Sequence, residues 1–446
     1  MDGTNGTSGA DGMSSADRTS SARHADRLPF DLADPAFWKL PREQRLAAFA
    51  HLRRLERPAY FVERAGRGAR RPERGFYALV RHADVVEASR QAEVFASAPG
   101  ATAPEPPRWV RTVFGDSMVN LDGPRHAQLR RVVSRAFTPR VLADAEAGIN
   151  ALAARIVDDL VAGRADEFVS AAASRMAFEV ICDMLGVPEP GRVEIARQVD
   201  RASENAGVAR TLRARIRVPG RGLRALGRMQ LTVAALGRER RRHPTGDLIS
   251  ALVTADVDGQ ALSTRQLGSF FSLLMVAGVE TTRNAIAHAL ALLTDHPDQR
   301  DLLTRDFERY ADTAVDEIVR FSTPIIQFRR HVKRPHVMGG QAFVPGDRVM
   351  LLYASANRDE AVFDRPDTFD ITRRPNPHLG YGGGGPHYCL GAHLARVEIK
   401  ALLRELLSRP RALRAVGLPE LGHSNFDNRV RSQRCAFEDA ETRTRP

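Results

Sequence analysis

The sequence predicts a mainly α-helical chain with a smaller β region, folded as a single interleaved α+β domain. Three observations predict this. From Pro124 to about Ser322 the pattern is mainly helical, with apolar residues recurring at helical spacing. Strand-like runs are confined to one early and one late segment, and strands split in this way must meet in space. The chain has 446 residues, 43% hydrophobic and 27% charged, which suffices for a large core without disulfide staples. Length alone suggests about three domains; the divided strands favour one.

Residues 1–27 are expected to form a disordered tail, because Met1–Ala25 contains no Leu, Ile, Val, Phe, Tyr or Trp. Residues 28–446 then form the folded domain. Ala59–Glu63 and Phe76–Val80 read as strands joined across a Gly/Arg/Pro turn segment, hence a hairpin. Ala96–Pro107 is rich in Ala, Pro and Gly and reads as loop. A long helix is expected over Thr264–Asp295. Ser263 with Gln266 forms its capping box, and His296-Pro297 stops it. At 1.5 Å per residue this helix spans roughly 48 Å, the width of a domain. A second strand-rich stretch runs from Ile325 to Tyr353, and a Pro/Asp/Arg meander occupies Asp359–Pro377. Gly380–Gly385 holds five glycines, and a helix over about Leu390–Leu407 is expected to open at the residue after Cys389.

Composition excludes several classes of function. The three cysteines, Cys182, Cys389 and Cys435, are odd in number and far apart, which argues for a reducing cytoplasm over a secreted disulfide scaffold. Formal net charge is +12, and all but three of the 66 basic residues are Arg. Codon preference explains such a bias, and so does an acidic partner or substrate. The arginines are spread along the chain without a nucleic-acid-binding motif, so no nucleic acid is expected. The N-terminus has no apolar leader segment. The longest uncharged apolar-rich run, Gln266–Val279, is too short to span a bilayer.

Three motifs carry chemistry. In Asn376–Arg396 a glycine-rich run leads to Cys389 and then a helix. Glycines let backbone N–H groups approach the sulfur, and a helix N-terminus adds positive partial charge, so both favour thiolate. A lone thiolate is wrong for zinc and suits a metal whose other ligands come from a macrocycle, that is, haem iron. Cys182 and Cys435 lack this context and read as core residues. The second motif is Glu317-Ile-Val-Arg320, an i, i+3 pair able to bond on one helix face. The third is Ala277-Gly278-Val279-Glu280-Thr281-Thr282-Arg283, an acid and an alcohol in the otherwise apolar centre of the long helix. A buried acid is costly without a function. Gly278 offers room for a ligand and a place to kink.

In order and spacing these motifs resemble the cytochrome P450 family. Ser355–Asp359, Val362-Phe363 and Pro366–Asp370 look like that family's meander, and Asp122–Phe137 carries a further stretch similar to it. The resemblance covers about Leu28 to Glu438. Tyr381 lies eight residues before Cys389, one more than is common. That extra glycine, with Asn376-Pro-His and Glu280-Thr-Thr-Arg, is similar to a branch oxidising steroids and methyl-branched lipids. Val279 stands where that branch usually has a polar residue.

The resemblance implies a role for each residue. Cys389 would be the axial ligand of haem b. His126, Arg130, Arg330 and His387 would bind its propionates, and Glu280 and Thr281 would deliver protons to bound dioxygen. Glu317 and Arg320, joined by Arg373, would be a structural pair. The implied activity is insertion of one oxygen atom from O2 into a C–H bond of a steroid, terpenoid, branched lipid or polyketide. A haem sensor, a ligand carrier or a peroxide-driven peroxygenase are the alternatives, and a sensor has no need of Glu280-Thr281. Electrons would come from a ferredoxin and its NAD(P)H-dependent reductase, with Arg131 and Arg135 as docking candidates. The substrate pocket would be lined by Trp109, Val113, Phe114, Met118, Leu273, Val276, Ala277, Ile325, Ile326, Gln327 and Phe426. Residues 201–243, expected as the lid, hold twelve Arg. Such density suits an anionic or carrier-bound substrate, or a merely solvated basic face.

Overall fold

The computed structural model describes residues 28–63, 74–102, 117–134, 137, 139–163, 165–204, 212–254, 256–257 and 260–438. The expected tail lies outside them, as do residues 205–211 of the expected lid. After a 3-10 turn at Phe37–Lys39 the order is α1 (Arg42–Arg53), β1 (Tyr60–Glu63), β2 (Arg74–Leu79), α2 (His82–Arg90) and β3 (Phe95–Ala96). There follow α3 (Gly123–Ser134), α4 (Pro139–Val161), α5 (Arg175–Leu185), α6 (Glu189–Glu204), α7 (Leu212–Arg242) and α8 (Leu248–Thr254). A small hairpin, β4 (Asp256–Val257) and β5 (Gln260–Ala261), precedes α9 (Thr264–Asp295), α10 (Pro297–Arg305) and α11 (Phe307–Ser322). The chain then forms β6 (Gln327–Val332), β7 (His336–Met338), β8 (Gln341–Phe343), β9 (Arg348–Leu352) and α12 (Tyr353–Ala356). It closes with α13 (Ala392–Ser408), β10 (Leu413–Leu421) and β11 (Val430–Phe437).

The principal sheet has the order β1-β2-β9-β6-β3, so early and late strands interleave as expected. β1 and β2 form the anticipated antiparallel hairpin, and β2 runs parallel to β9. Its two faces carry separate cores. Phe61, Phe76, Met350 and Leu352 pack with Trp38 and Phe49, whereas Tyr77, Val349 and Leu351 pack with Val85 and Phe343. The β10–β11 hairpin and the β4–β5 hairpin were not anticipated.

α9 is the axis of the helical region, and its bounds and capping box are those read from the sequence. Its first half packs Phe271, Met275 and Val279 against Ile181 of α5 and Met229 and Val233 of α7. Its second half packs Ile286, Leu290 and Leu293 against α4, α11 and α13 through Ile156, Ile318 and Leu403. Burial of each such side chain contributes roughly 1.5–3 kcal/mol. Gly278 faces a neighbouring helix rather than open space: a Cβ there would meet Ile181 of α5 at 3.4 Å, an ordinary contact, and α9 continues through it.

Candidate active site

The glycine loop is shaped by what it touches. Gly382, Gly384 and Gly385 have φ of +102°, +85° and +74°. A Cβ on Gly385 would lie 2.3 Å from the Ser89 carbonyl oxygen, so the loop can lie against the end of α2 only without side chains. Asn357 Oδ1 accepts from Leu379 N at 2.6 Å, and the Cys389 N–H closes the loop onto the Tyr381 carbonyl at 2.9 Å. α13 opens at Ala392 rather than directly after Cys389, because Gly391 serves as its N-cap and Leu390 intervenes. Surrounding atoms desolvate the Cys389 thiol and push it above its ordinary value although its surface stays exposed, while the Gly391 amide and the Arg130 and Arg396 guanidiniums pull it back towards thiolate. Cys389 is the accessible cysteine of the three. Cys182 and Cys435 are buried, and burial drives their thiols up to about 12 and about 11, as core residues should be.

Beside this loop four nitrogenous side chains from three elements converge. His126 and Arg130 come from α3, Arg330 from β6 and His387 from the loop itself. The rings of His126 and His387 lie 4.2 Å apart, and Arg130 donates to the Tyr388 carbonyl at 2.7 Å. His387 Nε2 bonds Asp122 Oδ1 at 3.1 Å, and Asp122 also accepts from the amides of Ser97 and Ala98. Burial raises the Asp122 carboxyl, but these bonds outweigh it and hold it down at about 2. Burial, with His387 and Arg130 alongside, drives His126 down to about 4. Arg330 is 4% exposed, and among the described residues no carboxylate lies within 4.0 Å of it. Positive charge therefore exceeds negative charge here, which fits a ligand bearing carboxylates. Among the described residues no three His, Cys, Asp or Glu side chains assemble to hold a metal. One sulfur donor beside a cationic patch fits a macrocycle-held metal with acidic substituents.

Glu280 and Thr281 occupy the middle of α9. Glu280 is 6% exposed and bonds Arg283 at 2.6 Å and Arg429 at 3.2 Å. Thr281 Oγ1 donates to the Ala277 carbonyl at 2.7 Å. Adjacent helix residues point about 100° apart, so the acid and the alcohol do not face one another. Leu273 is half-buried and Val276 and Ala277 are exposed, forming an accessible stripe that leads to Thr281 on a helix otherwise largely buried.

The other expected lining residues divide. Ile325 is half-buried, but Ile326 is packed into the Phe61–Phe76 core. Gln327 is 0% exposed and in register with Leu352, on the sheet face turned towards that core. Phe328, not anticipated, is half-buried and meets Phe426 edge-to-face with centroids 5.4 Å apart. The signal was available: Phe328 lies two residues from Arg330 on one strand, so both share a face. Met118 is half-buried against the core of the first half of α9. Trp109, Val113, Phe114 and Arg135 lie outside the described residues, as do the side chains of Arg213, Arg215, Arg217 and Arg221.

Known proteins share this architecture. A family model described as cytochrome P450 matches residues 230–412. The methyl-branched lipid omega-hydroxylase of Mycobacterium tuberculosis is 41% identical over 384 residues, covering 84% of this chain and 87% of that protein. The steroid C26-monooxygenase of Mycolicibacterium smegmatis is 34% identical over 410 residues, covering 90% of this chain and 92% of that protein. A solved Mycobacterium marinum cytochrome P450 in complex with pseudoionone has a TM-score of 0.84 and 37% identity, covering 93% of this chain and all of the other.

Proposed function

This chain belongs to the cytochrome P450 family, and from that premise we propose that it hydroxylates a methyl-branched lipid, using a haem b held by Cys389. It is a monooxygenase acting on hydrophobic small molecules. The observation that carries the finer reading is the accessible stripe Leu273–Val276–Ala277 ending at Thr281, with the edge-to-face pair Phe328–Phe426 as an apolar candidate for a further wall. Such a lining favours a large apolar substrate. The named substrates of both relatives, methyl-branched lipids and steroids, are of that kind. Both relatives are named for oxygen insertion, which favours neither a sensor, a ligand carrier nor a peroxygenase.

When bound, the haem supplies the iron centre at which dioxygen is activated. One oxygen atom enters the C–H bond and the other leaves as water, consuming two protons and two electrons. Cys389 would hold the iron as thiolate, and His126, Arg130, Arg330 and His387 would neutralise the propionates. Thr281 Oγ1 holds a proton at the end of the apolar stripe, and Glu280, which points to another side of α9, is the acid that would replenish it through an intervening group rather than by direct contact. Phe328 and Phe426 exclude water and orient the chain. Electrons from NAD(P)H arrive through a ferredoxin reductase and an acidic ferredoxin, for which the exposed Arg131 is a docking contact. Among the described residues no helix is long and apolar enough to cross a membrane, and a cytoplasmic location fits the three unpaired cysteines.

The test is a titration of the holoenzyme with a saturated methyl-branched fatty acid, its straight-chain isomer and a sterol-derived ketone, read by the haem spin-state shift. The branched acid should bind about tenfold tighter than its isomer, ~1.4 kcal/mol, and yield a terminal alcohol under turnover. Preference for the straight chain or the steroid, or a mid-chain product, would overturn the branched-lipid reading.

A further inference from the structure

We infer that Arg429 is a positioning residue for Glu280: it ties the turn carrying Phe426 to the acid of α9, so that one ion cluster holds both the pocket wall and the proton donor. This rests on the reading of Glu280 as that donor.

The observation behind it is a ladder. Glu280, Asn284 and His288 stand four residues apart along one side of α9. Each grips one residue of the segment 428–430. Arg429 NH2 lies 3.2 Å from Glu280 Oε2, the Val430 amide donates to Asn284 Oδ1 at 3.3 Å, and His288 Nε2 donates to the Asn428 carbonyl at 2.9 Å. The same segment is held from its other side. Asn428 Nδ2 donates to the carbonyls of Ser322 and Thr323, and the Ile326 amide donates to the Phe426 carbonyl at 2.7 Å. The turn is thus fixed between α9 and the connection from α11 to β6.

The lower two rungs are neutral bonds that any structural strap would use. The top rung differs in its charges. Glu280 Oε2 is shared by Arg283 and Arg429, and Arg429 also bonds Asp427 Oδ2 through Nε and NH2 at 3.2 and 3.1 Å. Among the described residues these are the charged groups around the acid: Arg283 on its own helix, Arg429 across from it and Asp427 behind Arg429. Among the described residues Glu280 Oε1, which is buried, meets no hydrogen-bond partner. A strap selected only for stability would satisfy that oxygen, because an orphaned buried acceptor is costly. Fixing Oε2 while leaving Oε1 unengaged leaves one oxygen able to take and give a proton. Phe426 lies three residues from Arg429 and packs on Phe328, so a molecule pressing on that wall acts on the same cluster.

The experiment uses holoenzyme variants Arg429→Gln, Arg429→Lys and Glu280→Gln, with exposed Arg431→Gln at the start of β11 as control. Without any substrate, amide hydrogen exchange at residues 426–430 should quicken about tenfold or more in Arg429→Gln and in Glu280→Gln, and stay unchanged in Arg431→Gln. With the methyl-branched fatty acid present, product formed per NAD(P)H consumed is followed against pH. Losing the cation that fixes Glu280 Oε2 frees the acid to turn, so Arg429→Gln should alter that profile, and Arg429→Lys, which keeps a cation there, should restore it. A pH profile unaltered in Glu280→Gln would remove Glu280 from the proton path and overturn the functional reading beneath this inference. A profile altered by Glu280→Gln but unmoved by Arg429→Gln, or exchange unchanged in Arg429→Gln, would overturn the inference itself.

Discussion

Glu317 and Arg320 form a fully buried two-pronged ion pair: Arg320 Nε donates to Glu317 Oε2 at 2.7 Å and NH2 to Oε1 at 2.8 Å, with neither side chain exposed. The remaining donors of Arg320 reach the carbonyls of Asn357, Pro366 and Thr368. Glu317 also accepts from Asp370 N, Arg373 Nε and Asn376 Nδ2. One pair therefore anchors the whole meander that leads to the Cys389 loop.

Removing either partner strands a charge in the interior. Glu317→Ala and Arg320→Ala should each cost about 3–5 kcal/mol in guanidinium unfolding. A loss below about 1 kcal/mol, the range of exposed pairs, would show that water compensates the site.

Cys389→Ser should abolish the thiolate-type Soret band of the reduced carbon-monoxide complex, and Cys182→Ser should keep it. The buried Cys182 thiol, driven up to about 12, is no ligand at neutral pH. The opposite pattern would reassign the ligand.

The glycines around Cys389 are not equivalent. Gly385→Ala must displace the backbone of Ser89 and adopt φ near +74°, whereas a Cβ on Gly391 meets nothing within 4 Å. Gly385→Ala should lose haem on gel filtration and unfold earlier by more than about 1–2 kcal/mol, the left-handed penalty alone. Gly391→Ala should retain haem. Equal behaviour of the two would contradict the packing of the loop on α2.

Arg330 is buried, and among the described residues no carboxylate lies within 4.0 Å of it, so its charge suits an anionic partner. Arg330→Leu should lower the ratio of Soret to protein absorbance about twofold or more, while the apoprotein becomes no less stable, because an uncompensated buried charge has been removed. Destabilised apoprotein with full haem retention would argue for a purely structural arginine.

The His288 ring is pushed down to about 4 by burial, its bond to the Asn428 carbonyl opposing this only in part. The unfolded chain therefore binds a proton that the folded chain refuses between about pH 6.5 and 4. Stability from this group is full above about pH 6.5 and falls by up to ~1.4 kcal/mol per unit as pH drops towards 4. Urea unfolding of the wild type should show that slope, and His288→Gln should flatten it. Parallel slopes would mean that His288 titrates alike in both states.

Features legible in the sequence were those whose causes lie within a few residues. The bounds of α9 follow from Ser263, Gln266 and His296-Pro297, because a cap is a bond to the next turn. The Glu317–Arg320 pair follows from three-residue spacing on a helix, and the glycine run before Cys389 marks a loop needing positive φ. Even the mixed sheet was foreseeable from where the strand-like runs fall. Tertiary structure alone decided which face each residue shows and what meets it there. Gln327 turned inward and Phe328 outward because β9 fixes the register, and one residue of shift reverses every side chain. Gly278 faces Ile181 of another helix, and Glu280 is held by an arginine from the turn before β11. A lone acid on an apolar helix states that a partner must exist, since its burial is otherwise too costly. Only the folded chain brings Arg429 within reach of it.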